Sequence, residues 1–125
     1  MLLNTKDILF QRNEKGELIA QEIELELLDD KPTIKAVPIT RGKLMELYSK
    51  YGSNTSDWIK MQNDIIKFGL VEPKLNDQEI EDLKSNIATA ISVGILSISL
   101  GMPQDAVNKQ SEKVISEMEA ELKKK

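Results

Sequence analysis

Fourteen residues from Ile87 to Leu100, Ile-Ala-Thr-Ala-Ile-Ser-Val-Gly-Ile-Leu-Ser-Ile-Ser-Leu, carry no charge in a chain that is 30% charged. Whatever this chain folds into must hide that run, because each large aliphatic side chain left in water forgoes about 1.5–3 kcal/mol. The run is too short to span a bilayer, which takes about 20 apolar residues. It therefore belongs in a protein core or against a partner. A helix that is apolar nearly all round is a buried helix, and Ile80, Leu83 and Ile87 lead into the run at helical spacing. The pattern predicts one helix over 77–100, with Asn76 and Glu79 as a capping box and Gly101 as its stop. Ala88, Ala90, Ser92, Gly94, Ser97 and Ser99 are small enough for neighbouring backbones to approach closely. Gly94 costs about 1 kcal/mol in a helix interior against alanine, which close packing can offset. The alternation Ser97-Ile98-Ser99-Leu100 keeps a strand over 91–100 as the alternative.

Before this run the chain changes period. Ile23, Leu25 and Leu27 alternate with Glu22, Glu24 and Glu26, the mark of a strand with one buried and one wet face. Asp29-Asp30-Lys31-Pro32 breaks it, and Thr33 to Ile39 is rich in β-formers. Together they predict an antiparallel hairpin over about 17–39, with Pro38 at a strand end or sheet edge. Ile8-Leu9-Phe10, ahead of the turn sequence Asn13-Glu14-Lys15-Gly16, fits either a short strand or a helical turn. After the hairpin, Thr40 is an N-cap for a helix over 41–51, with Leu44, Leu47, Tyr48 and Tyr51 on one face and Gly52 as its left-handed terminator. A helix over 57–68 follows, with Trp58, Met61, Ile65 and Phe68 inward and Gly69 at its end. Leu70 to Leu75 is an extended linker, as the residue before Pro73 avoids helix. The expected fold is α+β, mostly α: an N-terminal hairpin and about four helices, with 1–102 as one domain.

The fourth helix, over 103–125, starts with Pro103 in its first turn. Val107, Ser111, Val114, Met118 and Leu122 make a stripe one residue wide, and Glu112, Lys113, Glu117, Glu119, Glu121 and Lys123 cover the remainder. Such a helix either closes over its own core or pairs with a partner. Val107, Val114, Met118 and Leu122 are the candidate partner-binding residues.

Composition excludes more than it assigns. The chain has 125 residues, enough for one domain. It has no cysteine and no histidine, which removes disulfides, thiolate metal sites and the commonest general base and metal ligand. Carboxylate pairs such as Asp29-Asp30 and Glu81-Asp82 read as a polar turn and a helix surface, and no serine has a base to activate it. Gly42 alone is not a phosphate loop. We expect no enzyme, no cofactor and no metal. With a net charge of −4 and 17 basic against 21 acidic residues, the only basic cluster is Lys123-Lys124-Lys125, which reads as a solvated tail end and not as a face for nucleic acid. The N-terminus has no signal-peptide pattern, so a cytoplasmic protein is expected, with no membrane partner.

The order of short motifs is more specific. Pro38-Ile39-Thr40-Arg41-Gly42-Lys43-Leu44 leads from the hairpin into helices; Gly69-Leu70-Val71-Glu72-Pro73-Lys74-Leu75-Asn76-Asp77-Gln78-Glu79-Ile80 follows, then Ile95-Leu96-Ser97-Ile98-Ser99-Leu100-Gly101. Over residues 30 to 102 this resembles the tail assembly chaperones of long-tailed bacteriophages. The resemblance implies a non-enzymatic protein of the host cytoplasm. Such a protein coats the helical tape-measure protein and helps to recruit the tail-tube protein, and it can associate with itself. Arg41 stands at a variable position of the family pattern, and residues 1 to 30 match none of it. The alternatives are another small helical interaction module, a virion adaptor or a regulatory inhibitor, and then an acidic helix-turn-helix DNA binder.

Overall fold

The computed structural model describes residues 2–52 and 55–110. A single helical turn, α1 (Thr5–Ile8), precedes a hairpin of β1 (Gln21–Glu24) and β2 (Thr33–Ala36). Then come α2 (Arg41–Lys50), α3 (Thr55–Gly69), β3 (Leu70–Glu72), α4 (Asp77–Glu81), α5 (Ser85–Leu100) and a helix, α6, described over Gln104–Gln110. The fold is α+β and mostly helical, as expected. Its sheet has three antiparallel strands in the order β1-β2-β3.

The hairpin forms where the alternation predicts. Ile23 pairs with Ile34 and Gln21 with Ala36, so Ile23, Leu25, Ile34 and Ala36 share the buried face while Glu22 and Glu24 stay in water. Leu27 departs from the predicted face and is exposed. The strand ends at Glu24, and a turn with Leu28 N–H donating to Leu25 C=O at 3.2 Å carries Leu27 outward. Lys31 closes that turn with φ +46°, a left-handed conformation costly for a residue with a Cβ.

The segment expected as a linker is extended, but it is also a strand. β3 pairs with β2 through Lys35↔Glu72 and Ala36↔Leu70, with a bulge between Lys35 and Ala36, and Val37 N–H donates to Gly69 C=O at 2.8 Å. Three residues are too few to show alternation, and this strand exists because β2 offers it a free edge.

α5 is the buried centre of the domain, and the helix reading of 91–100 holds over the strand alternative. The sheet lies on one side of it and α3 on another. A Cβ placed on Gly94 would sit 3.2 Å from Leu25 and 3.6 Å from Ile23 of the sheet, and one placed on Gly69 would meet Ile95 at 2.5 Å. Small residues thus set the spacing on both sides. The serines keep their hydroxyls satisfied within the core. Ser92 Oγ donates to Thr89 C=O at 3.0 Å; Ser99 Oγ donates to Ile95 C=O at 2.7 Å and accepts from Ile39 N–H at 2.7 Å. Gly101 ends the helix in the left-handed region at φ +67°.

The single helix expected over 77–100 is two helices. Its capping box is present: Asn76 Oδ1 accepts from Glu79 N–H at 2.8 Å and Glu79 Oε1 from Asn76 N–H at 3.0 Å. α4 then stops at Glu81, Leu83 N–H turns back to Ile80 C=O, and Lys84 is extended. The break lets Ile80 bury and Leu83 pack on the core while α5 takes its own line past α3. Two further expectations shift. Phe68 is exposed, because α3 buries Met61, Gln62, Ile65 and Ile66, a face rotated by one position; Lys43 Nζ covers the Phe68 ring at 4.1 Å from its centroid. Gly52 is not left-handed. The helix ends at an extended Tyr51, and Gly52 N–H donates to Asp57 Oδ2 at 3.1 Å.

α6 leaves α5 at 111°, and among the described residues no single helix is long and apolar enough to cross a membrane. Gln104 and Val107 are buried together with the sheet and α5. The Gln104 side chain acts as a short substitute strand for β1: its Nε2 donates to Glu24 C=O at 2.7 Å and its Oε1 accepts from Glu26 N–H at 3.2 Å.

Candidate functional site

A large apolar depression forms where three chain segments meet. Asn4 caps α1 through its Oδ1 and Lys6 N–H at 3.1 Å, and Leu9 ends that turn in an extended conformation, so the helix stops at Ile8 and does not run on through Leu9 and Phe10. A tight turn follows, closed by Asn13 N–H to Glu17 C=O at 2.8 Å, with Gly16 at φ +79°. Arg12 pairs with Leu18 in a single β-bridge, and its Nη1 donates to Gly16 C=O at 2.7 Å. This small hairpin holds residues 8–12 beside the start of α2 and the last turn of α5. The Ser99 hydroxyl ties those two together through Ile39. Thr40, whose Oγ1 accepts from Lys43 N–H at 3.3 Å, fixes the first turn of α2.

The result is a groove of about 640 Å³, lined by Ile8, Leu9, Phe10 and Arg12 from the N-terminal segment, Thr40 and Arg41 from the start of α2, and Ile98 and Leu100 from the end of α5. Arg41 and Leu100 also line a second recess of about 420 Å³ that carries Met45 and Tyr48. Leu9 is 61% exposed, Met45 66% and Leu100 40%. Scattered apolar residues are ordinary on a protein surface, but contiguous ones mark an interaction site. This surface has the means to hold an apolar side-chain row.

A further recess, about 250 Å³ between α3 and α4, is polar and largely self-satisfied. Tyr51 Oη donates to Asp64 Oδ2 at 2.5 Å, Lys50 Nζ lies 3.4 Å from the same oxygen, and Lys67 Nζ is 3.3 Å from Asp77. Hydrogen bonds to Tyr51 and to Asp64 hold the Lys50 ammonium above its ordinary pKa. Partial burial likewise pushes the Tyr48 hydroxyl up. Both groups ordinarily titrate above about pH 9, and both shifts carry them further from neutrality. Among the described residues no three acidic side chains converge in a way that could hold a metal ion.

Of the candidate partner-binding residues, Val107 is 2% exposed and faces the domain's own core. Val114, Met118 and Leu122 lie outside the described residues. The groove around Ile8-Leu9-Phe10 is a surface that sequence patterning does not reveal. Its signal was an apolar triplet that fits a short strand or a helical turn equally well, close to one of the chain's two arginines. Compared with protein-family models, with curated proteins and with solved structures, the chain matches none.

Proposed function

We propose that this protein is a tail assembly chaperone of the long-tailed phage kind, a non-enzymatic binding protein that keeps a helical tape-measure protein soluble and assists tail-tube assembly in the host cytoplasm. The observation that carries the reading is the exposed apolar face formed by Ile8, Leu9, Phe10, Met45, Tyr48 and Leu100 on an otherwise charged chain. It fits beside the motif order from Pro38 to Gly101 that resembles the family. A chaperone for a long helix needs an apolar groove to cover apolar stripes and a surface charge that keeps the complex in solution. A net charge of −4 supplies the second. No chemistry is required of it, and binding must remain reversible so that the tube can replace it. Val114, Met118 and Leu122 remain candidate contacts beside the groove. Co-expression with the tape-measure protein of the same genome tests the proposal. The tape-measure protein should move to the soluble fraction and co-purify; unchanged solubility and no co-purification would overturn it.

A further inference from the structure

The chain has two arginines among its 17 basic residues, and both line the apolar groove. The lysines are spread over the surface, and several are tied to carboxylates: Lys35 to Glu72, Lys43 to Glu46, Lys50 to Asp64 and Lys67 to Asp77. Among the described residues neither Arg12 nor Arg41 has an ion-pair partner. One nitrogen of Arg12 is used by Gly16 C=O, which fixes the side chain and leaves its other donors available. Arg41 is the exposed first residue of α2. Guanidinium groups suit paired recognition of carboxylates, unlike the point charge of a lysine.

An apolar trough with a guanidinium supplied by each of two different chain segments is complementary to one kind of occupant. We infer that the groove takes an amphipathic helix of the partner whose apolar stripe is flanked by aspartate or glutamate. The stripe lies on Leu9, Phe10 and Leu100, and the flanking carboxylates meet Arg12 and Arg41. This rests on the proposed chaperone function for the occupant being a helix, and narrows it to which helices are accepted. The remaining surface is net acidic and repels the same carboxylates, so an acidic helix is held in this groove and discouraged elsewhere.

The test uses the full chain, which lacks cysteine, so that Ser49→Cys at the edge of the adjoining recess takes a single environment-sensitive fluorophore. Two synthetic helical peptides of about 18 residues, five turns, carry the same leucine stripe flanked either by glutamates or by lysines. The glutamate peptide should bind about two- to thirtyfold more tightly at low salt, from two charge pairs of ordinary exposed strength. The variant R12E/R41E should reverse the preference. Glutamate at the first position of α2 is favourable to the helix, and an unchanged circular dichroism melt confirms folding. Equal binding of both peptides, binding of neither, or a fluorescence change produced by unlabelled copies of the protein instead of the glutamate peptide would overturn the inference. Co-expression of R12E/R41E with the tape-measure protein separates the two claims. Solubilisation that survives the double substitution removes the groove inference and leaves the chaperone. The predicted peptide preference with no solubilisation by the unaltered protein removes the chaperone and leaves an acidic-helix site.

Discussion

Gly69 is the position at which the packing of α5 is most exposed to test. A methyl group there would lie 2.5 Å from Ile95 Cγ2, 2.9 Å from Cδ1 and 3.2 Å from Cγ1. Carbon atoms rest at about 3.5–4.0 Å, so the nearest contact is short by about 1 Å. Ile95 cannot swing away: it is fully buried, and its Cγ2 moves only with χ1, which a helix confines largely to one rotamer. The two helices must part, and overpacking of this kind costs about 1–3 kcal/mol. Replacing glycine by alanine in a helix returns up to about 1 kcal/mol. The net expectation for Gly69→Ala is a loss of about 1–2 kcal/mol. Gly42→Ala is the control, since nothing lies within 4 Å of its added methyl and it sits inside α2; it should be neutral or stabilising by up to about 1 kcal/mol. Urea unfolding followed by Trp58 fluorescence reads both, and at a slope of about 1–3 kcal/mol/M the two variants should separate by roughly 1 M in midpoint. In an Ile95→Ala background the Gly69→Ala loss should shrink by at least about 0.5 kcal/mol, as contact predicts. A Gly69→Ala midpoint equal to or above that of Gly42→Ala would refute the close approach of α3 and α5.

Three further outcomes follow from single contacts. Ser99→Ala removes the acceptor for the buried Ile39 N–H and should cost about 1–3 kcal/mol in urea unfolding, against less than about 0.5 kcal/mol for an exposed serine such as Ser49→Ala. Lys31→Gly relieves a left-handed residue in the β1–β2 turn and should stabilise by about 0.5–1 kcal/mol after the greater freedom of glycine in the unfolded chain; a loss of stability would count against that turn. Tyr48 and Lys50 both have folded pKa values raised above their unfolded ones, so the stability they contribute is intact below about pH 10 and declines as pH rises through the folded values. Thermal melts should be level from pH 7 to about 9.5 and fall above 10, with a shallower fall in Tyr48→Phe; a fall that begins near pH 8 would contradict this.

Much of the helical half was legible because local signals agreed with the tertiary fold. Thr40 and Asn76 cap where their side-chain chemistry says they should, Gly101 stops α5 at positive φ, and an uncharged run became the central helix because nothing else in the chain can cover it. What sequence missed was decided at a distance. Nothing in Glu81-Asp82-Leu83-Lys84 breaks a helix by composition; the break answers to where Ile80 and Leu83 must pack. β3 is a strand only because β2 is beside it. Gln104 reads as a helix-surface residue until its amide is found holding the backbone of Glu24 and Glu26. The groove was the least legible of all, because Ile8, Leu9 and Phe10 come to Leu100 across 90 residues of chain through a turn, a bridge and a serine hydroxyl.

The division of labour between a hidden central helix and an exposed apolar face is best tested by amide hydrogen exchange on the protein alone and with the proposed partner, a tape-measure protein. In the free protein, amides of Ala90 to Leu96 should exchange only through global unfolding. Addition of the partner should leave those rates unchanged and slow exchange at Leu9 to Arg12 and at Met45 to Tyr48. Rapid exchange across Ala90 to Leu96 in the free protein, slowed only by the partner, would mean that the apolar run is itself the binding surface and would contradict the buried position assigned to it.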